Sequence, residues 1–240
     1  MSNPFFRFKQ FTIEQDVCAM KVCTDACLFG AWCAAEMQPS PHGTDTLLDI
    51  GTGTGLLPLM LLQKHRLQVD AVEIDPAAVT QARQNAKAAG HEASMNVIHA
   101  DVQSMPFLKS YDYIISNPPF YQNNLKGPDS KRNTAHHGTS LRLETLVQII
   151  AGRLKEEGFF FLLLPYRRKE ELQQLLEKHH LYGYKEVAVR QTPSHAPFRH
   201  MLKGGCNPGL HETGELAISI GPQQYTPAFT ALLKDYYLYL

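Results

Sequence analysis

Leu47-Leu48-Asp49-Ile50-Gly51-Thr52-Gly53-Thr54-Gly55 is the stretch that decides the fold. Thr46–Ile50 reads as a short apolar strand and Gly51–Gly55 as a glycine turn. Leu56–Lys64 reads as a helix, with Pro58 in its first turn, where a missing N–H costs little. Outward from this unit, strands are expected at Gln68–Ile74, Ser94–His99, Tyr111–Ser116, Gly158–Leu164, Tyr184–Arg190 and Glu215–Ile220. Helices are expected at Pro76–Ala89, closed by Gly90, at Leu141–Leu154 and at Arg167–His179. Strand–helix alternation of this kind predicts an α/β fold, a mostly parallel sheet with helices on both faces. Three stretches fall outside it: residues 1–44, the polar loop 120–139, and 191–214, which has little apolar period.

The 240 residues carry 23 basic and 23 acidic side chains, and 44% are hydrophobic, an ordinary globular composition that excludes a disordered chain. The longest apolar runs, Leu56–Leu62 and Phe159–Leu164, fall short of the ~20 residues a membrane helix needs. With no apolar signal core at the N-terminus, a cytoplasmic location is expected. Cys18, Cys23, Cys27 and Cys33 lack the spacing of a zinc or iron–sulfur site, so buried, reduced thiols and no metal are expected.

In an open parallel sheet, ligands bind at the carboxyl ends of the strands. The glycines let the backbone approach a ligand closely, and the helix behind offers free N–H groups. A dinucleotide loop wants G-x-G-x-x-G, but the last position falls on Leu56. Asp49, two residues before Gly51, would repel a pyrophosphate and suits a cationic ligand instead. S-adenosylmethionine carries an ammonium and a sulfonium and no phosphate. Glu73 ends the next strand, where a carboxylate can accept both ribose hydroxyls, and Asp101 follows the third strand, within reach of an adenine amine. The segment resembles the seven-stranded, Rossmann-like class I S-adenosylmethionine-dependent methyltransferases. That resemblance places the cofactor among Asp49, Gly51, Gly53, Gly55, Glu73, Ile74, Asp101, Val102 and Asn117.

Asn117-Pro118-Pro119-Phe120 follows the fourth strand. Two prolines hold the backbone nearly fixed and push Asn117 away from helical torsions. Such a turn can aim the Asn117 amide oxygen and the Pro118 carbonyl at one –NH2 group, and Phe120 offers a face for a base. The motif resembles the [N/D/S]-P-P-[Y/F/W] signature of amino methyltransferases, which act on adenine N6, cytosine N4, guanine N2 or a glutamine amide.

The flanks narrow the acceptor. Phe6-Arg7-Phe8-Lys9-Gln10-Phe11, the stretch Met20–Trp32 and the closing Tyr225–Leu238 look like the bacterial enzymes that methylate adenine N6 at position 37 of a valine tRNA. This resemblance implies that Lys21 and Thr24 lie near the cofactor, with residues 1–44 as an arm and cofactor lid on a methyltransferase domain at 45–240. RNA contacts are expected from basic clusters: Arg7 and Lys9 interleaved with Phe6, Phe8 and Phe11; Lys126, Lys131, Arg132 and Arg142; and Arg190, Arg199 and Lys203, a run without an acid. Two other readings stand beside this one: methylation of a protein glutamine, as in release-factor methyltransferases, and a noncatalytic RNA-binding protein.

Overall fold

The computed structural model describes residues 3–18, 20–38, 43–106, 109–118 and 141–240. An N-terminal hairpin, β1 (Phe5–Arg7) and β2 (Thr12–Glu14), leads to helix α1 (Thr24–Glu36). There follow β3 (Asp45–Ile50), α2 (Leu56–Leu62), β4 (Leu67–Glu73), α3 (Pro76–Ala88), β5 (Met95–His99) and β6 (Tyr111–Ser116). After the next described helix, α4 (Leu143–Arg153), come β7 (Leu154–Pro165), α5 (Lys169–Lys178), β8 (Tyr182–Arg190), β9 (Arg199–Gly205) and β10 (Glu212–Ala217). A short hairpin, β11 (Ser219–Gly221) and β12 (Gln224–Tyr225), precedes α6 (Pro227–Leu233).

The main sheet has eight strands in the order β10-β8-β9-β7-β6-β3-β4-β5. All pair in parallel except β9, which runs antiparallel between β7 and β8. The strand order reverses between β3 and β6, so the carboxyl ends of these two strands flank the natural ligand crevice. Residue alternation builds the two cores. Leu47, Phe161 and Leu163 enter the cluster shared with α1, α2, α3 and α6, whereas Leu48, Phe160 and Leu162 enter the cluster under α4 and α5.

One expectation is corrected. The sheet has an eighth strand, because β9 occupies part of the stretch read as irregular. Its polar residues are absorbed by partners from elsewhere: His200 lies 3.2 Å from Glu186, and the Lys203 ammonium donates to the Glu36 carbonyl at 2.8 Å. Within the stretch 1–44, helix α1 enters the core. Ten consecutive residues of α1, Asp25–Ala34, are buried, and the helix packs so closely on α2 that a side chain at Gly30 would meet the Met60 sulfur at 2.7 Å. A helix covered on all sides shows no amphipathic stripe, so periodicity does not reveal it.

The interleaved aromatics of the N-terminus are structural too. Phe8 and Phe11 are buried and stack at 4.6 Å, and Phe8 also packs against Tyr237. The Lys9 ammonium donates to the Lys234 carbonyl at 2.6 Å, tying the hairpin to the C-terminal segment. Phe8 and Phe11 therefore offer no face to an RNA base.

Candidate functional site

The glycine loop leaves β3 and is pinned to β4. The Gly51 and Thr52 N–H groups both donate to the Val72 carbonyl, at 2.9 and 3.1 Å. Gly51, Gly53 and Gly55 have φ of 77°, 56° and 82°, the left-handed region that favours glycine. No atom of the described residues lies within 4 Å of where a Cβ at Gly51 or Gly53 would project, so among them the loop faces open space.

Glu73 braces this loop. Its Oε2 accepts the Gly53 N–H at 2.9 Å, and its Oε1 accepts those of Ile74 and Asp75 at 2.9 and 3.0 Å. A carboxylate has about four lone-pair sites, so roughly one remains for an external donor. Asp75 caps α3 by accepting the Ala77 N–H. Asp101 is likewise engaged, accepting from the Gln103 backbone N–H at 2.9 Å and its side-chain amide at 3.3 Å. Ile74 is 44% exposed beside Glu73, an apolar side chain left at the edge of the crevice, whereas Val102 is buried under the sheet.

Asp49 is the anomaly. It is fully buried, and neither oxygen accepts a hydrogen bond from a described group. Burial, helped by the nearby charge of Glu73, pushes its carboxyl up to about 7; the Thr52 hydroxyl offsets this in part. An unpaired buried acid is costly and needs an explanation. A cationic group arriving in the crevice supplies one.

On the other side of the crevice, β6 ends in Ser116, which is fully buried and donates to the Ile50 carbonyl at 2.7 Å. This bond locks the strand end that carries the glycine loop to the one that carries Asn117. Sequence reading missed Ser116, although a hydroxyl at the end of an apolar strand, one residue before N-P-P, is a visible signal. Asn117 is half-buried and Pro118 buried; Pro119 and Phe120 lie outside the described residues.

With this geometry established, known proteins supply the family. Residues 34–180 match the model of the methyltransferase small domain. A Bacteroides thetaiotaomicron protein named tRNA1(Val) (adenine(37)-N6)-methyltransferase is 36% identical over 242 residues, covering 100% of both chains. A protein of the same name from Dyadobacter fermentans is 39% identical and covers 98% of each chain. The chain belongs to the tRNA1(Val) (adenine(37)-N6)-methyltransferase family. Among solved structures, a predicted O-methyltransferase of Agrobacterium tumefaciens superposes with a TM-score of 0.67 over 88% of this chain and 95% of its own, at 15% identity. A Listeria monocytogenes structure described as a class I S-adenosylmethionine-dependent methyltransferase gives 0.62 over 92% and 71%, at 16% identity. At such identities these two likenesses concern the fold alone, and the fold is the one expected.

The residues present fit the methyl donor of this family, S-adenosylmethionine. The orphaned Asp49 carboxylate suits its cationic end, and the open loop at Gly51 and Gly53 leaves room for its body. Lys21 does not reach outward; its ammonium donates to the Gln15 carbonyl and closes a small loop of backbone. Thr24 is the exposed first residue of α1, next to Cys23, whose side chain makes no cap bond. Asp25 is buried and pairs with Arg199 at 2.6 Å. Among the described residues no cluster of potential metal ligands occurs. Cys18, Cys27 and Cys33 are buried as expected, but Cys23 is exposed.

The expected basic surface is reshaped by partners distant in sequence. Arg199 pairs with Asp25, and Arg190 pairs with Glu215 at 2.8 Å, so the run without an acid is neutralised by the fold. Lys203 is 7% exposed, its ammonium 4.6 Å from the centre of the Phe159 ring; it is a core lysine, and burial lowers its pKa. Arg7 and Arg142 are exposed, as is Arg167 at the carboxyl end of β7, a basic residue that the sequence reading did not single out. Lys126, Lys131 and Arg132 lie outside the described residues. No described helix is long and apolar enough to cross a membrane.

Proposed function

We propose that this protein methylates the exocyclic N6 of adenine 37, beside the anticodon of a valine tRNA, with S-adenosylmethionine as donor. The observation that carries this reading is the crevice between β3 and β6. It sets a buried carboxylate with no partner among the described residues on one side and the end of β6, which carries Asn117 and Pro118, on the other, in a chain that matches its named relatives from end to end.

When bound, S-adenosylmethionine supplies an electrophilic methyl group on a sulfonium. Asp49 would balance the positive charge, and Glu73 and Asp101 would hold the ribose and the adenine edge. Lys21 and Thr24, at the start of α1, would border the pocket. The Asn117 amide oxygen and the Pro118 carbonyl would each accept one N–H of the acceptor amine. Its lone pair is then fixed toward the methyl group. No strong base is needed, because the nitrogen can lose its proton after attack. The gain comes from orientation and fixed dipoles. Phe120 would stack on the base, a contact worth roughly 1–3 kcal/mol. Position 37 lies in a loop, so the base is reached without melting a helix. Arg7, Arg142 and Arg167 are the exposed basic residues best placed to hold phosphates, joined by Lys126, Lys131 and Arg132.

The test is transfer of labelled methyl from S-adenosylmethionine to total unmodified bacterial tRNA, followed by digestion and identification of the labelled nucleoside. Label in N6-methyladenosine is expected. Unlabelled tRNA beside a methylated protein glutamine would overturn the reading.

A further inference from the structure

Two buried amides outside the chemistry organise the N-terminal segment, and one of them also reaches the glycine loop. Asn85 stands on the buried stripe of α3 formed with Ala78, Val79, Ala82 and Ala86, and it is fully covered. Its Oδ1 accepts the Glu14 N–H at 3.0 Å. Its Nδ2 donates to the Glu14 carbonyl and to the Thr54 carbonyl, both at 2.9 Å. One side chain thus pairs both backbone groups of the last residue of β2, as a neighbouring strand would, and holds the glycine loop with its remaining donor. Only an amide offers this combination of one acceptor and two donors in so small a volume.

The next residue continues the arrangement. Gln15 is buried; its N–H donates to the Pro4 carbonyl at 2.8 Å and its Nε2 to the Asn3 carbonyl at 3.0 Å. Its Oε1 accepts the Val22 N–H at 2.7 Å, and its carbonyl accepts from Lys21. Gln15 is therefore tied directly to Lys21 and Val22.

We propose that Asn85 is a positioning residue for the cofactor site: through Glu14 and Thr54 it holds the end of β2, with its Gln15–Val22 tie, and the glycine loop as one unit. Cofactor affinity depends on it, and the methyl-transfer step does not. The inference rests on the reading of the crevice as an S-adenosylmethionine site.

Asn85→Asp keeps the shape and the acceptor but removes both donors, and Asn85→Ala removes all three bonds. Full-length variants would be titrated with S-adenosylmethionine by calorimetry below their melting temperatures. Leu172→Ala, in the α5 core on the opposite face of the sheet, serves as a destabilised control. The expected result is a loss of affinity of ~10–100-fold in the Asn85 variants, from hydrogen bonds each worth a few-fold to tenfold. The turnover number at saturating cofactor should change less than about threefold. Leu172→Ala should lower the melting temperature and keep wild-type affinity. If the Asn85 variants do not fold, Gln15→Ala, which frees Val22, carries the test, with an expected loss of about 5–10-fold. Wild-type affinity in a folded Asn85 variant or in Gln15→Ala would overturn the proposal, as would an equal loss in Leu172→Ala. No saturable binding by the wild type would overturn the cofactor reading itself.

Discussion

Replacing Asp49 by asparagine should stabilise the protein while disabling its site, and the gain should depend on pH. The folded protein holds this carboxyl at about 7, against an ordinary 3.8, because the group is fully buried, lies near the charge of Glu73 and has no hydrogen-bond partner among the described residues. Between pH 4 and 7 the unfolded chain therefore binds fewer protons at this position than the folded chain does. Stability from this group is fully present below about pH 4 and drains away as pH rises to 7. Each pH unit in that window costs about 1.4 kcal/mol. Asparagine has the same shape and no titration. The stability difference between Asp49→Asn and wild type should therefore widen by about 2–3 kcal/mol from pH 5 to pH 8. Urea unfolding of the cofactor-free proteins, followed by circular dichroism at both pH values, measures this. In parallel, the variant should bind S-adenosylmethionine at least ~10-fold more weakly at pH 8, for loss of a desolvated charge partner. A difference in stability that stays constant between the two pH values would refute the argument, because it would mean that Asp49 already has a partner in the folded state.

Other perturbations separate the remaining roles. Asn117→Ala should bind S-adenosylmethionine normally and lose ~10²–10³-fold in turnover, the cost of one oriented polar group; calorimetry beside a methyl-transfer assay decides it, and equal loss in both would undo the division of labour with Asp49. Glu186 is held down to about 2, chiefly by His200 and then Lys169, so its stabilisation is present above about pH 4.5 and is lost as pH falls toward 2. Glu186→Gln should cost about 1–2 kcal/mol at pH 6, allowing for solvent screening, and less than half of that at pH 3, read by chemical denaturation. Lys203→Met should leave the slope of log affinity for tRNA against log salt unchanged, whereas a phosphate-gripping lysine would reduce it by about 1.

The parts of this protein that can be read from sequence are those where local chemistry and tertiary role coincide. Gly51, Gly53 and Gly55 announce a left-handed loop, and the apolar strands around them need no distant partner to be recognised. Asp49 stands out because an acid at the end of an apolar strand has no structural reason to be there. β9 is hidden because two of its three polar residues are buried only through contacts made elsewhere in the chain, His200 with Glu186 and Lys203 with Glu36. Helix α1 is hidden for the opposite reason: buried on every side, it has no polar face to set its period. Counting charges along 190–203 predicts a basic patch, yet Asp25 and Glu215 neutralise its arginines across 174 and 25 positions of sequence. Asn85 could have been noticed, since an amide on the buried stripe of a helix calls for partners, but which backbone it would hold is a matter of the fold.

The most direct test uses an anticodon stem–loop of the valine tRNA, prepared with adenine or with inosine at position 37, and labelled S-adenosylmethionine. Incorporation is expected into the adenine substrate alone, recovered as N6-methyladenosine at that nucleotide, because Asn117 and Pro118 would hold an exocyclic amine that inosine lacks. Comparable incorporation into both substrates, or label at any other nucleotide, would contradict it.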